Sequence, residues 1–266
     1  MKSSLINSEV SSSTVLLVLK IQQVMTIEQH IVIEHTPLFL AHHSLHKISI
    51  TLLTEDFEID KLYQYFNIAL SEVLTHASKK RRLEFFAGRL SAKFALAPFG
   101  LEDAQIPKGA KGEPLWPNNI CGSISHTSTK HSSTAVAYVQ KAKAKFQGVG
   151  IDIEAKKNNA YFKNETLLPL AFLNDQEQAH LLEGKEPYSY LIIFSAKESI
   201  IKAVYNKFSI FLSFFDIKYI RMKDNFVEFT VPALDQHIYS VNVKVSFYFT
   251  QNNVITICTE IPTLII

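Results

Sequence analysis

The chain has 266 residues, 47% hydrophobic and 20% charged, which describes a globular protein with room for one or two ordinary domains. A net charge of +2 lacks the basic excess of a general nucleic-acid binder. Two cysteines far apart in sequence, Cys121 and Cys258, form no disulfide framework or zinc motif, and the ten histidines contain no HExxH, so a reducing cytoplasm is the expected setting.

In chain order, the apolar run at Ser13–Met25 is interrupted by Lys20, is followed by no small-residue cleavage site and is too short to span a membrane. Residues 1–30 read as a variable extension, partly strand. Residues 46–53 alternate like a strand. Residues 58–74 and 79–99 read as helices, the second ending near Pro98 and Gly100. Residues 107–119 are turn and extended chain, punctuated by proline and glycine. Strands follow at 121–127 and 133–140, then a lysine-rich turn and the strand "GVGIDIE" at 148–154. Residues 155–170 read as a loop with a short helix. Asp175 with Gln178 three residues on predicts a capped helix start. Residues 186–208 carry the strongest helical pattern, with Pro187 in its first turn. Strands are expected at 209–222, 225–232, 238–250 and 253–261. This order predicts an α+β fold of two similar halves, 31–144 and 145–266, each a long helix with a mainly antiparallel sheet. The tripeptide SAK recurs at Ser91 and Ser195, a faint echo of duplication.

In "GVGIDIE", strand alternation puts Ile151 and Ile153 on one face and Asp152 and Glu154 together on the other. Taken alone, this is more simply an edge strand with a wet face. The second station is "FSAKESIIKA", where Glu198 and Lys202 share one side of a helix that is apolar almost all round. A charged pair on a buried helix is costly unless something uses it. Glu198 is a candidate third oxygen ligand to a cation held by Asp152 and Glu154, and three carboxylates suit Mg²⁺. Lys197 and Lys202 are candidates to hold phosphate. Arg82, Phe86, Arg89 and Lys93 make one helical stripe, which is either a solvated face or a grip for a nucleotide. His126, closing "GSISH", is either structural or a phosphate donor.

"GVGIDIE" followed by "FSAKESIIKA" resembles the signature of the 4′-phosphopantetheinyl transferases. "KKRRLEFFAGRLSAKFAL", "PLWP" and "GSISHT" are similar to the enterobactin synthase component D type, the larger pseudo-twofold monomers. The likeness runs from about Lys79 to the C-terminus. It implies Mg²⁺-dependent transfer of phosphopantetheine from coenzyme A to a carrier-protein serine, with release of 3′,5′-ADP, for siderophore or other nonribosomal peptide or polyketide synthesis. It implies Mg²⁺ on Asp152, Glu154 and Glu198; coenzyme A contacts from Arg82, Arg89, Ser125, His126, Lys197 and Lys202; and catalytic roles for Glu198, Lys202 and His126. No nucleic-acid partner is implied. Two departures stand out: a longer segment after His126, and Glu113 where some larger relatives have lysine, with Lys111 nearby to compensate. Lys156, Lys157, Tyr161, Phe162 and Lys163, just beyond the acidic strand, read as a solvated loop or, by the resemblance, as the carrier-facing surface. The alternatives are a Mg²⁺-dependent nucleotide pyrophosphate hydrolase and a non-catalytic binder of coenzyme A or a carrier.

Overall fold

The structure, a computed structural model, describes residues 23–27, 29–40, 43–142, 148–159, 169–183, 188–234 and 240–262. The start of the N-terminal extension, Pro187, and the loop residues Tyr161, Phe162 and Lys163 lie outside the described residues.

Two five-stranded antiparallel sheets carry the chain. The first is built from β1 (Gln23–Ile27), β2 (Ile31–Leu40), β3 (His43–Leu52), β4 (Ile120–Ser128) and β5 (Ser132–Lys141), in the order β1-β2-β3-β5-β4. The second holds β6 (Gly150–Ala155), β7 (Lys218–Lys223), β8 (Phe226–Val231), β9 (Val241–Phe249) and β10 (Asn253–Cys258), in the order β6-β10-β9-β8-β7. Three helices accompany the first sheet: α1 (Asp60–Tyr65), α2 (Glu72–Thr75) and the long α3 (Lys79–Leu96). Among the described residues, two accompany the second: α4 (Asp175–Glu183) and the long α5 (Ser189–Phe208). The α+β class read from the element order is the class observed. No described helix is long and apolar enough to cross a membrane.

Each long helix buries an apolar face on its own sheet. Leu83, Phe86, Ala87 and Leu90 of α3 pack with Ile31, Ile33, Ile48 and Ile50. Leu191, Ile192, Ala196, Ile200 and Val204 of α5 pack with Val227, Phe229, Val243 and Val245. A third core lies between the sheets, where Leu38, Leu45 and Val136 meet Ile151, Ile153, Ile255 and Ile257. β6 therefore gives its isoleucines to the seam between the halves and its acids to α5. The recurring SAK serines are both fully buried: Ser91 donates to the His46 carbonyl and Ser195 to Asp152.

Several local expectations are corrected. Residues 58–74 are not one helix. The chain stops at Phe66, turns through Asn67 at φ 51° and restarts at Glu72. Asparagine tolerates this left-handed conformation, and the turn lets Leu62, Tyr63, Ile68 and Leu74 all reach one core. The cap of α4 lies one residue earlier than Asp175/Gln178: Asn174 and Glu177 exchange backbone-to-side-chain hydrogen bonds of 3.0 and 2.9 Å. Residues 209–217 are not strand. Ser209 turns at φ 58°, and a capping box between Ser213 and Asp216 closes a 3₁₀ turn that seats Phe214 against Phe194. β2 spans Ile31–Leu40, a stretch that sequence reading left without an element.

Lys197 is the most consequential correction. It was expected to meet phosphate, but it is fully buried on the side of α5 away from β6. Its ammonium donates to Glu177 at 3.0 and 3.1 Å and to the carbonyls of Phe172 and Phe214 at 2.9 and 3.1 Å. Glu177 also accepts from the Tyr219 amide at 2.7 Å, so the pair ties α5 to α4, the 3₁₀ turn and β7. Removing one partner of a buried ion pair costs about 3–5 kcal/mol, whereas replacing both with apolar groups is often tolerated. Lys197→Met should therefore destabilise the protein strongly in urea unfolding, and Lys197→Met/Glu177→Leu should recover most of the loss. Equal destabilisation by the single and double variants would show that the pair is not coupled in this way.

Candidate active site

Two glycines decide how close α5 comes to β6. A Cβ on Gly150 would stand 1.8 Å from the Ser199 carbonyl oxygen, and one on Gly148 would stand 2.2 Å from that of Ala203. Such approach is open only to a residue without a side chain. It sets the polar side of α5 directly on the strand that carries the acids.

Asp152, 4% exposed, is fully engaged. Its Oδ1 accepts from Ser125 Oγ and from Lys202 Nζ, both at 2.7 Å, and its Oδ2 accepts from Ser195 Oγ at 2.8 Å. Lys202 spends its remaining donors on Ser125 Oγ and the Ile151 carbonyl, each at 3.1 Å. Four elements thus meet on one carboxylate: β4 through Ser125, β6, α5, and β10, whose Thr256 hydroxyl hydrogen-bonds Ser195. Glu154 is held by Asn158 Nδ2 at 3.2 Å. Burial pushes its carboxyl up to about 7, with the charges of Asp152 and Glu198 adding and Asn158 and Lys202 opposing. Glu198 is raised by burial, opposed by Lys202 and reinforced by Asp152. Three acids therefore share one seam with a single close ammonium, and each ionised neighbour makes the next costlier.

That donor set is chemically suited to a hard divalent cation, since all its ligand atoms are carboxylate oxygens and their charge is under-compensated. Among the described residues, however, no three His, Cys, Asp or Glu side chains are drawn together as one metal cluster. At Asp152 the counter-ion is Lys202, 2.7 Å from Oδ1.

A second network adjoins the first. Arg81 Nη1 reaches His126 Nε2 and Glu84 Oε2, each at 3.2 Å, and Glu84 also accepts from Ser128. Arginine can only donate, so His126 accepts on Nε2 and carries its proton on Nδ1. Burial lowers the His126 pKa, with Glu84 opposing and Arg81 reinforcing, which favours this neutral form. Arg81 and Glu84 were not singled out from sequence. "KKRR" offers adjacent arginines about 100° apart on the helix, so Arg81 faces His126 while Arg82 faces Asp60.

The stripe itself divides. Arg82 pairs with Asp60 at 2.5 Å. Phe86 is fully buried in the core and does not face a ligand. Arg89, 9% exposed, donates from Nε to the Ile106 carbonyl at 2.5 Å and lies 4.2 Å over the Phe85 ring. Burial lowers its pKa to about 10. Arg89, Lys93 and Lys108 line a cavity of about 500 Å³ whose walls are otherwise largely apolar, including Ile68, Leu70 and Phe85. Lys108 was not singled out from sequence. A larger cleft, about 870 Å³, opens between the sheets at Lys47, Thr127, Lys157 and Gln251. Lys157 is exposed there, whereas Lys156 is drawn back onto its own half. It donates to the Thr250 carbonyl at 2.5 Å and faces the Phe249 ring at 5.1 Å.

Comparison with known proteins gives two matching families. One, described as the 4′-phosphopantetheinyl transferase superfamily, matches residues 148–258, which include both motifs of the seam. The other, the 4′-phosphopantetheinyl transferase N-terminal domain, matches residues 70–140. The chain is 32% identical over 181 residues to enterobactin synthase component D of Salmonella austin, covering 66% of this chain and 68% of that one. It is 30% identical over 234 residues to the protein of the same name in Salmonella typhimurium, covering 85% and 90%. It is 32% identical over 109 residues to 4′-phosphopantetheinyl transferase Npt of Nocardia iowensis, covering 39% and 47%.

The Glu154 shift has a defined sign. The folded state holds this proton up to about 7, whereas an unfolded glutamate loses it near 4.5. The contribution of Glu154 to stability is therefore full at the acid end and is lost as pH rises through about 7. Without divalent cations, Glu154→Gln should raise the melting temperature more at pH 8 than at pH 5, and Mg²⁺ should shrink the pH 8 difference. A variant-minus-wild-type difference identical at both pH values would contradict this account.

Proposed function

This chain belongs to the 4′-phosphopantetheinyl transferase superfamily, and we propose that it moves 4′-phosphopantetheine from coenzyme A to a serine of an apo carrier protein, releasing 3′,5′-ADP. The observation that carries the proposal is the seam at which α5 sets Glu198 and Lys202 against Asp152 and Glu154. The relatives named as enterobactin synthase component D make siderophore assembly the first candidate pathway, with other nonribosomal peptide or polyketide synthases as further sources of the carrier. We place the activity in the cytoplasm and assign it to a monomer.

In this reading the pyrophosphate of coenzyme A lies over the carboxylate seam. Mg²⁺ held by Glu154 and Glu198 together with Asp152 would offset the charge of the pyrophosphate and of the departing phosphate. The carrier serine oxygen forms a bond to the phosphorus that bears the pantetheine arm. The bond from that phosphorus to the bridging oxygen breaks, and 3′,5′-ADP leaves with the oxygen. Glu198 takes the serine proton, a role suited to a carboxyl whose pKa is raised by burial. Lys202, fixed on Asp152 and Ser125, supplies a stationary positive charge beside the reacting group. The Arg81–His126 pair presents a cation and an imidazole at the adjacent edge.

The nucleotide end is assigned to the cavity lined by Arg89, Lys93 and Lys108, where a buried guanidinium stands among apolar walls suited to a base. Arg82 keeps the phosphate role in neither place, because Asp60 holds it. The carrier is assigned to the wider cleft, with Lys157 at its rim.

Mass spectrometry of an apo carrier incubated with coenzyme A and Mg²⁺ tests the proposal. Wild type should add one phosphopantetheine to the carrier serine. Glu198→Gln should slow transfer by about 10²–10⁴-fold while remaining folded. Rapid release of 3′,5′-ADP without any carrier would point to the hydrolase instead. Arg89→Ala should weaken coenzyme A binding by about tenfold or more, since a charged hydrogen bond is worth about 1.5–3 kcal/mol. Arg82→Ala should leave that affinity near wild type.

A further inference from the structure

The Arg89 cavity has two walls that come from distant parts of the chain. One is the turn between α1 and α2, residues 67–71, and the other is the strip of chain at residues 104–108. Both lie outside the strands of the two sheets. Among the described residues, no backbone hydrogen bond joins one wall to the other.

Gln105 makes that joint with its side chain. Its Oε1 accepts from the Ala69 amide at 2.8 Å, and its Nε2 donates to the Asn67 carbonyl at 2.9 Å. A backbone amide can only donate and a carbonyl can only accept, so the glutamine fits in this one orientation. Asn67, at φ 51°, is the residue that turns the chain, so one end of the clamp lies on the turn itself. The next residue of the strip holds the guanidinium: the Ile106 carbonyl accepts from Arg89 Nε at 2.5 Å. One strip therefore fixes the opposite wall through a side chain and the buried cation through a carbonyl. The strip is anchored at both ends. Ala104 N donates to the Leu101 carbonyl at 3.0 Å, and Leu115 N donates to the Pro107 carbonyl at 3.0 Å. The Lys108 turn that follows is closed by Gly109 N on the Glu113 carbonyl at 2.7 Å and by the Glu113 carboxylate, which accepts from the Lys111 amide at 2.9 Å.

We infer that Gln105 is a positioning residue for coenzyme A, whose side-chain amide fixes the gap between the two walls and so the reach from the apolar turn to Arg89 and Lys108. The inference rests on the reading that the nucleotide of coenzyme A occupies this cavity. Gln105 is exposed at the rim, so replacing it leaves the core intact. A rim side chain that only filled space would be replaced by any other of the same length. A clamp needs both an acceptor for Ala69 and a donor for Asn67. Methionine has the length and neither strong group, whereas glutamate keeps the acceptor and sets a second oxygen against the Asn67 carbonyl.

Calorimetric titration of coenzyme A and of 3′,5′-ADP into the full chain separates these roles, with transfer kinetics and amide hydrogen exchange alongside. Gln105→Ala, Gln105→Met and Gln105→Glu should each weaken both ligands by about three- to tenfold, as expected when one or two solvent-facing hydrogen bonds are lost. The Michaelis constant for coenzyme A should rise by the same factor while kcat stays within about twofold, because the carboxylate seam is untouched. The Ala69 amide should exchange faster in Gln105→Ala than in wild type, since its acceptor is gone. Wild-type affinity in Gln105→Met would show a space-filling residue and overturn the inference. Equal Ala69 exchange in Gln105→Ala and wild type would overturn the clamp whatever the affinities. Arg89→Ala is the control on the underlying reading: if it and Gln105→Ala both bind 3′,5′-ADP as wild type does, the nucleotide lies elsewhere and the reading fails, whereas weakening by Arg89→Ala with an inert Gln105→Ala sinks the positioning role alone.

Discussion

Gly150 has no room for a side chain, and the consequences spread through the protein. Because α5 lies with the Ser199 carbonyl on the backbone of β6, every third or fourth residue of the helix meets the strand or its neighbour. Ser195 reaches Asp152, Ser199 reaches Thr256, Lys202 reaches Asp152, and Asn206 reaches the Val149 carbonyl at 2.6 Å. A methyl group at position 150 would push the helix off the sheet and separate these pairs. The same seam continues into the first half, because Ser125 bonds Asp152, and Ser123 accepts from the Ile151 amide at 3.1 Å. One close approach therefore builds both the joint between halves and the candidate site.

The price of that closeness is electrostatic. Asp152 is buried with a full set of donors, but Glu154 and Glu198 share what compensation remains. A stable core would not choose this arrangement, and the deficit points to a positively charged ligand or to a reaction that needs a poised carboxyl. The two lysines of the helix motif divide the work. Positions five apart are about 140° apart around a helix, so Lys202 and Lys197 cannot serve one face. Lys202 stays at the seam, and Lys197 anchors the far side of α5 through Glu177.

Much of this was legible because it depends on local periodicity. The alternation of "GVGIDIE" placed the acids together, and the apolar surround of Glu198 and Lys202 marked a buried helix with a polar strip. The long helices and most strands followed from the same patterns. What escaped was decided at a distance. Asn67 breaks a helical stretch because Ile68 and Leu74 must return to a shared core. Arg82 stood out over Arg81 for its place in the helical stripe, and its pairing with Asp60, on a separate short helix, is not visible from local spacing. Lys197 looked like a phosphate ligand because its buried partner Glu177 is twenty residues away and no local pattern links the two. Lys108 lay in a turn whose shape depends on Glu113, and nothing in its own surroundings pointed to the cavity.

The central claim is that the carboxylate seam and the Arg89 cavity, although they share no residue, serve the two ends of one molecule. Binding of coenzyme A measured by calorimetry with and without Mg²⁺ addresses it directly. Wild type should bind more tightly with Mg²⁺, Glu154→Gln/Glu198→Gln should lose that gain, and Arg89→Ala should lose affinity while keeping it. If Mg²⁺ leaves the affinity of the wild type unchanged, or if the double variant responds to Mg²⁺ as the wild type does, the seam does not hold the metal-bearing end of that ligand and the account is contradicted.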